Sequence, residues 1–134
     1  MLAQVIGGIA GVFAANIMFD NPLIDPSTTN RTGIGQWAGE FVATFGLVGT
    51  ILACLKARPD FVPTAVGLYI TAAYWFTSST SFANPAVTIA RGFSDTFAGI
   101  NPSHVLAFVD VQVIAATLAT LLLGWFLSNS EAVD

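Results

Sequence analysis

Charged residues are scarce in this sequence. Asp, Glu, Lys and Arg make up 9% of its 134 residues, against about 25% in ordinary soluble domains, while 54% of the residues are hydrophobic. A chain with so little polar surface cannot dissolve as a monomer. The composition therefore excludes an ordinary soluble domain and predicts an integral membrane protein.

Basic residues, cysteine and histidine are also few. Four Lys and Arg residues without a cluster exclude a basic surface for nucleic acid or anionic lipid. The single cysteine, Cys54, excludes an intramolecular disulfide framework and is expected to be a packed, inert thiol. The single histidine, His104, lies in a polar turn and is expected to be an ordinary solvated side chain. No nucleophile with a base and no cluster of metal ligands is found, so we predict no enzyme, no metal site and no cofactor.

Apolar runs fill most of the chain. They predict an all-α integral membrane fold in a single domain over residues 1–134, with four transmembrane helices plus one re-entrant half-helix. We expect the spans at about 1–19, 36–55, 63–79 and 105–127, the half-helix at about 84–97, and a polar, frayed tail over 128–134. The first run lacks a basic n-region and exceeds the apolar core of a usual signal peptide, so we interpret it as a span.

The half-helix is predicted from an Asn-Pro pair inside apolar sequence. Asn84 is a good N-cap residue, and Pro85 suits the first helical position, where its missing N–H is not needed. The helix can run only to about Phe97, because Gly99 and Pro102 follow, and it would be roughly 20 Å long. A bilayer core is about 30 Å thick. Such a segment is typical of a re-entrant half-helix in a channel or transporter, with its N-terminal N–H groups facing protein or a water-filled cavity.

Two acids lie inside the predicted spans, where a central charge costs about 2.5–3.5 kcal/mol. Glu40 either accepts hydrogen bonds from irregular backbone deep in the membrane or extends to the interface, since it is only a few residues into its helix. Asp110, close to Gln112 in the last span, is either a second buried acid or a residue of the outer headgroup zone.

Hydroxyl groups and small residues mark the faces of the predicted spans. The hydroxyls near the end of the third span either line a wet path or bond back to carbonyls one turn earlier; they belong to Thr71, Tyr74, Thr77, Ser78 and Ser81. Small residues four apart predict close helix packing, and they form the sets Gly7-Gly11-Ala15, Gly35-Gly39-Ala43 and Ala116-Thr120-Gly124.

Basic residues also give the predicted orientation. The short connection 56–60 holds Lys56 and Arg58 and is of the kind that stays cytoplasmic, whereas Arg31 is alone in the preceding loop. With four full spans, both termini are then cytoplasmic. Apart from the formal glycosylation acceptor Asn30-Arg31-Thr32, nothing indicates a eukaryotic secretory route, and we expect the inner (plasma) membrane of a bacterium.

A motif on the half-helix and its flanking spans match a known family. Asn84-Pro85-Ala86, after a Ser- and Thr-rich span end, resembles the signature of the aquaporin or major intrinsic protein family. The other helices are similar too: Met1-Leu2-Ala3-Gln4 with Gly8 and Gly11 resembles the third helix of that family, Gly39-Glu40-Phe41 with Thr44-Phe45 the fourth, Pro63 to Ser79 the fifth, and Phe108 to Gly124 with Gln112 the sixth. The resemblance covers nearly the whole chain.

The resemblance implies an incomplete pore. In that family each of two inverted repeats contributes one Asn-Pro-Ala half-helix, and the two meet at the membrane midplane. This chain resembles the end of the first repeat and the whole second repeat. We therefore expect a truncated channel-family protein for passive passage of water or small uncharged solutes, such as polyols and metalloid acids. The alternative is a non-conducting fragment or assembly partner that needs a second polypeptide.

The resemblance also implies partners and roles for individual residues. The partners are the lipid bilayer and either further copies, as in the tetramer of the family, or a complementing half-channel. Asn84 would donate to a passing solute while its oxygen caps the half-helix, with Pro85 and Ala86 completing the motif. Glu40 would brace the loop backbone.

The selectivity filter differs from that of many family members. Val87 stands directly after the motif, where many members carry an arginine, and Ser81 and either Thr71 or Ala72 match two further filter positions. The resemblance implies that the remaining filter residue belongs to the half that this sequence does not contain. These small side chains imply a pore wider than a strict water channel. Arg91, four residues after Val87 and roughly 10 Å outward of Asn84, is either a guard of the outer vestibule or an interface anchor.

Overall fold

A computed structural model describes residues 1–129, and these residues form helices and no strand. The helices are α1 (Leu2–Met18), α2 (Ile34–Ala57), α3 (Val62–Phe76), α4 (Pro85–Ala90) and α5 (Val105–Asn129). Short 3₁₀ turns lie at Pro59–Phe61, Arg91–Phe93 and Pro102–His104. Residues 130–134, which hold most of the tail predicted to fray, lie outside the described part of the chain.

Helix α2 lies at the centre and packs against α3 on one side and α5 on the other. The short helix α4 lies between α1 and α5. A Cβ atom at Gly39 would lie 3.0 Å from the backbone nitrogen of Ser79 and collide with Ser78 Oγ. The glycine therefore lets α2 approach the backbone that leads from α3 into α4.

The set Gly7-Gly11-Ala15 predicted a face of α1 that packs closely against another helix. Close packing is found in α1, but on a different face. A Cβ at Gly7 or Gly11 would meet nothing, whereas a Cβ at the neighbouring Gly8 would lie 3.1 Å from the Cβ of Ala90 in α4. The face of α1 that contacts α4 is therefore the one containing Gly8. The set that we predicted lies one residue away.

The helices differ in whether they are long enough to cross a membrane. Among residues 1–129, two stretches are long and apolar enough to cross a membrane, Ile34–Ala57 and Pro102–Asn129. Helices α1 and α3 have 17 and 15 residues, which correspond to about 25 and 22 Å. The predicted range of the third span, 63–79, extends past the end of α3 at Phe76. The helix ends there because the backbone of Thr77 is extended, with ψ of 143°. Large apolar side chains such as Leu68, Trp75 and Leu106 are exposed on the outer surface, as a lipid-facing surface requires.

The half-helix is shorter than its predicted range of 84–97. It consists of α4 and the following 3₁₀ turn, and it ends at Phe93 because Ser94 is extended. The chain there is bonded to the loop between α1 and α2, since Thr28 N–H donates to Asp95 Oδ1 at 2.8 Å. Side-chain hydrogen bonds to the loop thus replace the next helical turn.

Candidate functional site

Asn84 caps α4 at the point where the extended chain becomes helical. Its Oδ1 accepts hydrogen bonds from the N–H groups of Ala86 at 2.8 Å and Val87 at 3.4 Å, and Pro85 follows it directly. The side chain is only partly buried, and Nδ2 donates to no other group of residues 1–129. The carboxamide therefore uses its oxygen in the fold, whereas its nitrogen has no partner in the described part of the chain.

The segment before Asn84 has an uncommon backbone. Thr80, Ser81 and Ala83 have φ values of 60°, 48° and 47°, a region that residues other than glycine seldom adopt and that costs of order 1–3 kcal/mol each. Such angles persist only where the surroundings impose them. The contacts of Glu40 supply this constraint.

Glu40 is fully buried and binds this backbone. Its Oε2 accepts from Phe82 N–H at 3.2 Å, and its Oε1 accepts from Ala83 N–H. Gln112 of α5 donates to the same Oε1 at 2.7 Å. A carboxylate that receives three donors is well stabilised in an apolar interior, and this one does not extend to a surface.

Gln112 and Thr88 extend the network to the cap. Gln112 Nε2 also donates to Thr88 Oγ1 at 2.8 Å, and Thr88 Oγ1 donates to the backbone oxygen of Asn84 at 2.9 Å. Sequence reasoning noted Gln112 without a role and missed Thr88. A polar residue one helical turn after the cap, in otherwise apolar sequence, was the available signal.

The residues predicted to form the filter occupy different surroundings. Val87 is half-buried beside the cap, and Ser81 is buried with its Oγ unpartnered within residues 1–129. Thr71 and Ala72 are exposed on α3, and no hydrogen bond joins them to α4 in the described chain. The structure therefore brings Val87 and Ser81 to the half-helix and leaves the α3 positions at the surface.

The hydroxyls of α3 bond mainly to backbone. Thr71 Oγ1 donates to Gly67 O and Thr77 Oγ1 to Ala73 O, both at 2.7 Å and both one turn earlier. Ser78 Oγ instead donates to Gly35 O of α2 at 2.6 Å. Of the two interpretations left open by the sequence, Thr71 and Thr77 follow the one in which a hydroxyl bonds back to the carbonyl one turn earlier, and Ser78 follows neither.

Arg91 lies at the end of the half-helix beside a cavity. Its guanidinium lies 4.4 Å from the ring centroid of Phe82, and its buried Nη1 has no partner within residues 1–129. The open cavity has a volume of about 500 Å³, and Phe19 and Phe97 are among its apolar lining residues. Asn16 of α1, also at its edge, is buried and donates to Phe93 O at 3.0 Å.

Arg31, in the loop between α1 and α2, is a site residue that sequence reasoning missed. Its buried guanidinium donates to the carbonyls of Gly99 at 2.7 Å, Ser79 at 3.0 Å and Phe97 at 2.7 Å. It also lies 5.0 Å from the ring centroid of Phe82. One side chain thus binds the backbone on both sides of the re-entrant segment.

The charge of Arg31 is held in an unfavourable environment. Burial, and then the positive charge of Arg91, lower the pKa of Arg31 from its usual value. The guanidinium nevertheless stays protonated, because an arginine pKa lies far above neutrality. A lone arginine in a polar loop gave no sign that the side chain would turn inward.

The structure also tests the sequence predictions for two other polar residues, His104 and Asp110. His104, which we predicted to be solvated, is half-buried, and its Nδ1 accepts from the backbone N–H of Arg31 at 3.2 Å. That prediction is wrong because the loop carrying Arg31 folds over the turn before α5. Asp110 is exposed on α5, so it is not a second buried acid.

A short helix with an Asn-Pro cap, held by a buried carboxylate among longer apolar helices, defines an integral membrane protein of the channel type. Over 133 residues the chain is 51% identical to Aquaglyceroporin AqpS of Rhizobium meliloti (strain 1021), a match that covers 99% of this chain. The chain belongs to the aquaporin or major intrinsic protein family, as its Asn84-Pro85-Ala86 motif predicted. It is thus a member of a family of channels and not of enzymes.

The chain spans 57% of the length of that curated relative. No protein-family model matches the chain. No solved structure matches it either.

Proposed function

We propose that this chain forms part of a channel for the passive passage of water or small uncharged solutes, such as polyols and metalloid acids. The observation that carries the proposal is the divided use of the Asn84 carboxamide. Its oxygen is engaged with Ala86 N–H and Val87 N–H, while its nitrogen has no partner within residues 1–129. A solute oxygen that reaches Asn84 therefore meets a fixed donor.

The chemistry follows from this donor and from the helix behind it. The N–H groups at the start of a helix carry a partial positive charge, which disfavours cations and protons nearby. A neutral solute does not experience that barrier. It receives one hydrogen bond from Asn84 Nδ2, which orients it as it passes.

The width of the pore is proposed to depend on Val87 and Ser81. Both have short side chains close to the cap, and Val87 stands where many family members carry an arginine. A wider constriction admits polyols and not water alone. The name of the matched relative, an aquaglyceroporin, supports the same solute class. Thr71 or Ala72 completes the filter only if its exposed α3 face borders the pore of an assembly.

We further propose that the pore is completed by a second set of helices. Residues 1–129 contain one Asn-Pro half-helix of the re-entrant type, and the face of α1 with Gly7 and Gly11 packs against nothing within them. A second copy of the chain or a complementing half-channel would supply the missing wall. We place the protein in a bacterial inner membrane with both termini cytoplasmic, on the basis of Lys56 and Arg58 in the connection 56–60.

Stopped-flow swelling of proteoliposomes that contain only this chain tests the proposal. In an inward glycerol gradient, we expect faster swelling than in empty vesicles of the same lipid. A rate equal to that of empty vesicles would show that the chain alone does not conduct. That result would favour the alternative function, a non-conducting fragment or an assembly partner that needs a second polypeptide.

A further inference from the structure

Two arginines lie against one aromatic ring in the re-entrant segment. The guanidinium carbon of Arg31 lies 5.0 Å from the ring centroid of Phe82, and that of Arg91 lies 4.4 Å from it. The arginines come from different parts of the chain, the loop before α2 and the 3₁₀ turn after α4. We call this group of three residues the arginine pair with its ring.

The charges of the pair are not neutralised by an ion pair. The three hydrogen bonds that the Arg31 guanidinium donates all go to backbone carbonyls, and Arg91 Nη1 has no hydrogen-bond partner within residues 1–129. In the same residues, no carboxylate lies within 4.0 Å of either guanidinium. Glu40 binds backbone N–H groups and, without an ion pair, its single negative charge offsets only part of the two positive charges. Asp95 is engaged with Thr28.

The pair lies close to the position where an arginine is missing. Phe82 precedes the cap residue Asn84 by two positions, and Arg91 follows Val87 by one helical turn. Phe82 itself is buried, and its N–H is bound by Glu40. The ring therefore holds both cations beside the half-helix.

We propose that Arg31, together with Arg91, supplies the positive charge that keeps cations out of the pore, a charge that Val87 does not supply. This inference rests on the proposed channel function. Arg31 acts through its field and not by touching the solute, since its side chain is buried behind the segment. A buried charge is poorly screened, so its field reaches the pore. Pore width and pore charge are thereby assigned to different residues.

Urea and guanidinium form a suitable pair of probes, because they are planar and similar in size but differ in charge. Swelling of proteoliposomes is measured in inward gradients of each. We expect the wild-type chain to pass urea and exclude guanidinium. Arg31→Gln should raise the ratio of guanidinium influx to urea influx about tenfold or more, because a unit charge roughly 10 Å from the solute has an interaction energy of this order at an effective dielectric constant near 20.

Three further variants separate charge from structure. Arg31→Lys should still exclude guanidinium because it keeps the positive charge. It loses the planar set of donors that binds three carbonyls, so it separates the charge from the hydrogen bonds. Arg91→Gln loses no hydrogen bond within residues 1–129 and should fold normally, yet it should also admit guanidinium. Arg58→Gln is the matched control, since Arg58 is exposed and lies in the connection between α2 and α3; it should behave as wild type.

The outcomes distinguish the inference from the function on which it rests. If Arg31→Gln or Arg91→Gln passes urea and still excludes guanidinium, the charge assignment is overturned and the channel stands. Equal guanidinium influx through Arg31→Gln and Arg31→Lys would show a structural role of Arg31 and would also overturn it. Wild-type vesicles that do not admit urea faster than empty ones overturn the proposed function, and this inference with it.

Discussion

At the scale of single residues, the carboxylate of Glu40 replaces the hydration that the Phe82 and Ala83 backbone loses in the interior. Three donors converge on it, two from backbone and one from Gln112. An acid in this position is favourable because each of these donors would otherwise be buried without an acceptor. The uncommon backbone angles before Asn84 depend on the same contacts.

Replacing Glu40 by glutamine tests this account. The amide offers one acceptor oxygen in place of two, so one backbone N–H of the segment loses its partner, at a cost of about 1–3 kcal/mol. We expect a lower midpoint of thermal unfolding in detergent. Asp110→Asn is the control, because it makes the same chemical change on an exposed acid and should shift the midpoint little. Equal shifts in the two variants would argue against the role of Glu40.

Val87 is the residue whose size controls the proposed width. Introducing Val87→Arg adds a long cationic side chain beside the cap, where it narrows the constriction. In swelling experiments on a conducting preparation, the variant should pass glycerol severalfold more slowly relative to water. An unchanged ratio of glycerol to water permeability would contradict the assignment of Val87 to the filter.

At the scale of secondary-structure elements, α2 carries the close approach that positions the segment before α4. Gly39 faces Ser78 and Ser79, whereas a Cβ at Gly35, one turn earlier on the same helix, would meet nothing. The contact at Gly39 involves backbone, which cannot move aside easily. The fit between α2 and the re-entrant segment therefore requires a glycine at position 39 and not at position 35.

The two glycines make a matched pair of variants. Gly39→Ala should destabilise the protein by about 1–3 kcal/mol, because the added methyl group overpacks the contact. Gly35→Ala should be neutral or up to about 1 kcal/mol stabilising, because alanine is the better helix former. Thermal unfolding in detergent measures both. Similar effects of the two substitutions would mean that the contact at Gly39 is not tight.

The elements also show what the sequence could predict. The cap at Asn84 was predictable because it follows from a local rule about helix starts, and the burial of Glu40 was one of two interpretations that the cost of a membrane charge left open. The early end of the half-helix at Phe93 was not, because it depends on Thr28 binding Asp95 from a distant loop. The inward turn of Arg31 is of the same kind, since its three acceptors lie far along the chain.

At the scale of the whole molecule, the described chain has a polar centre and an apolar exterior. Glu40, Gln112 and Thr88 are buried at the centre, whereas large apolar side chains such as Trp75 and Trp125 are exposed. This is the reverse of a soluble domain and suits a lipid environment. At the start of the half-helix, this centre presents the amide Nδ2 of Asn84, which has no partner within residues 1–129.

The central claim is that Asn84 meets the solute, and the chain provides a close control for it. Asn101 also precedes a proline and caps a short helical turn, accepting from Ser103 N–H at 3.0 Å, but it lies outside the proposed pore. The direct measurement is glycerol influx into proteoliposomes of a conducting preparation that carries Asn84→Ala or Asn101→Ala. We predict a roughly three- to tenfold slower influx for Asn84→Ala, as expected for the loss of a hydrogen bond of about 0.5–1.5 kcal/mol, and the wild-type rate for Asn101→Ala. Equal rates in the two variants would contradict the account.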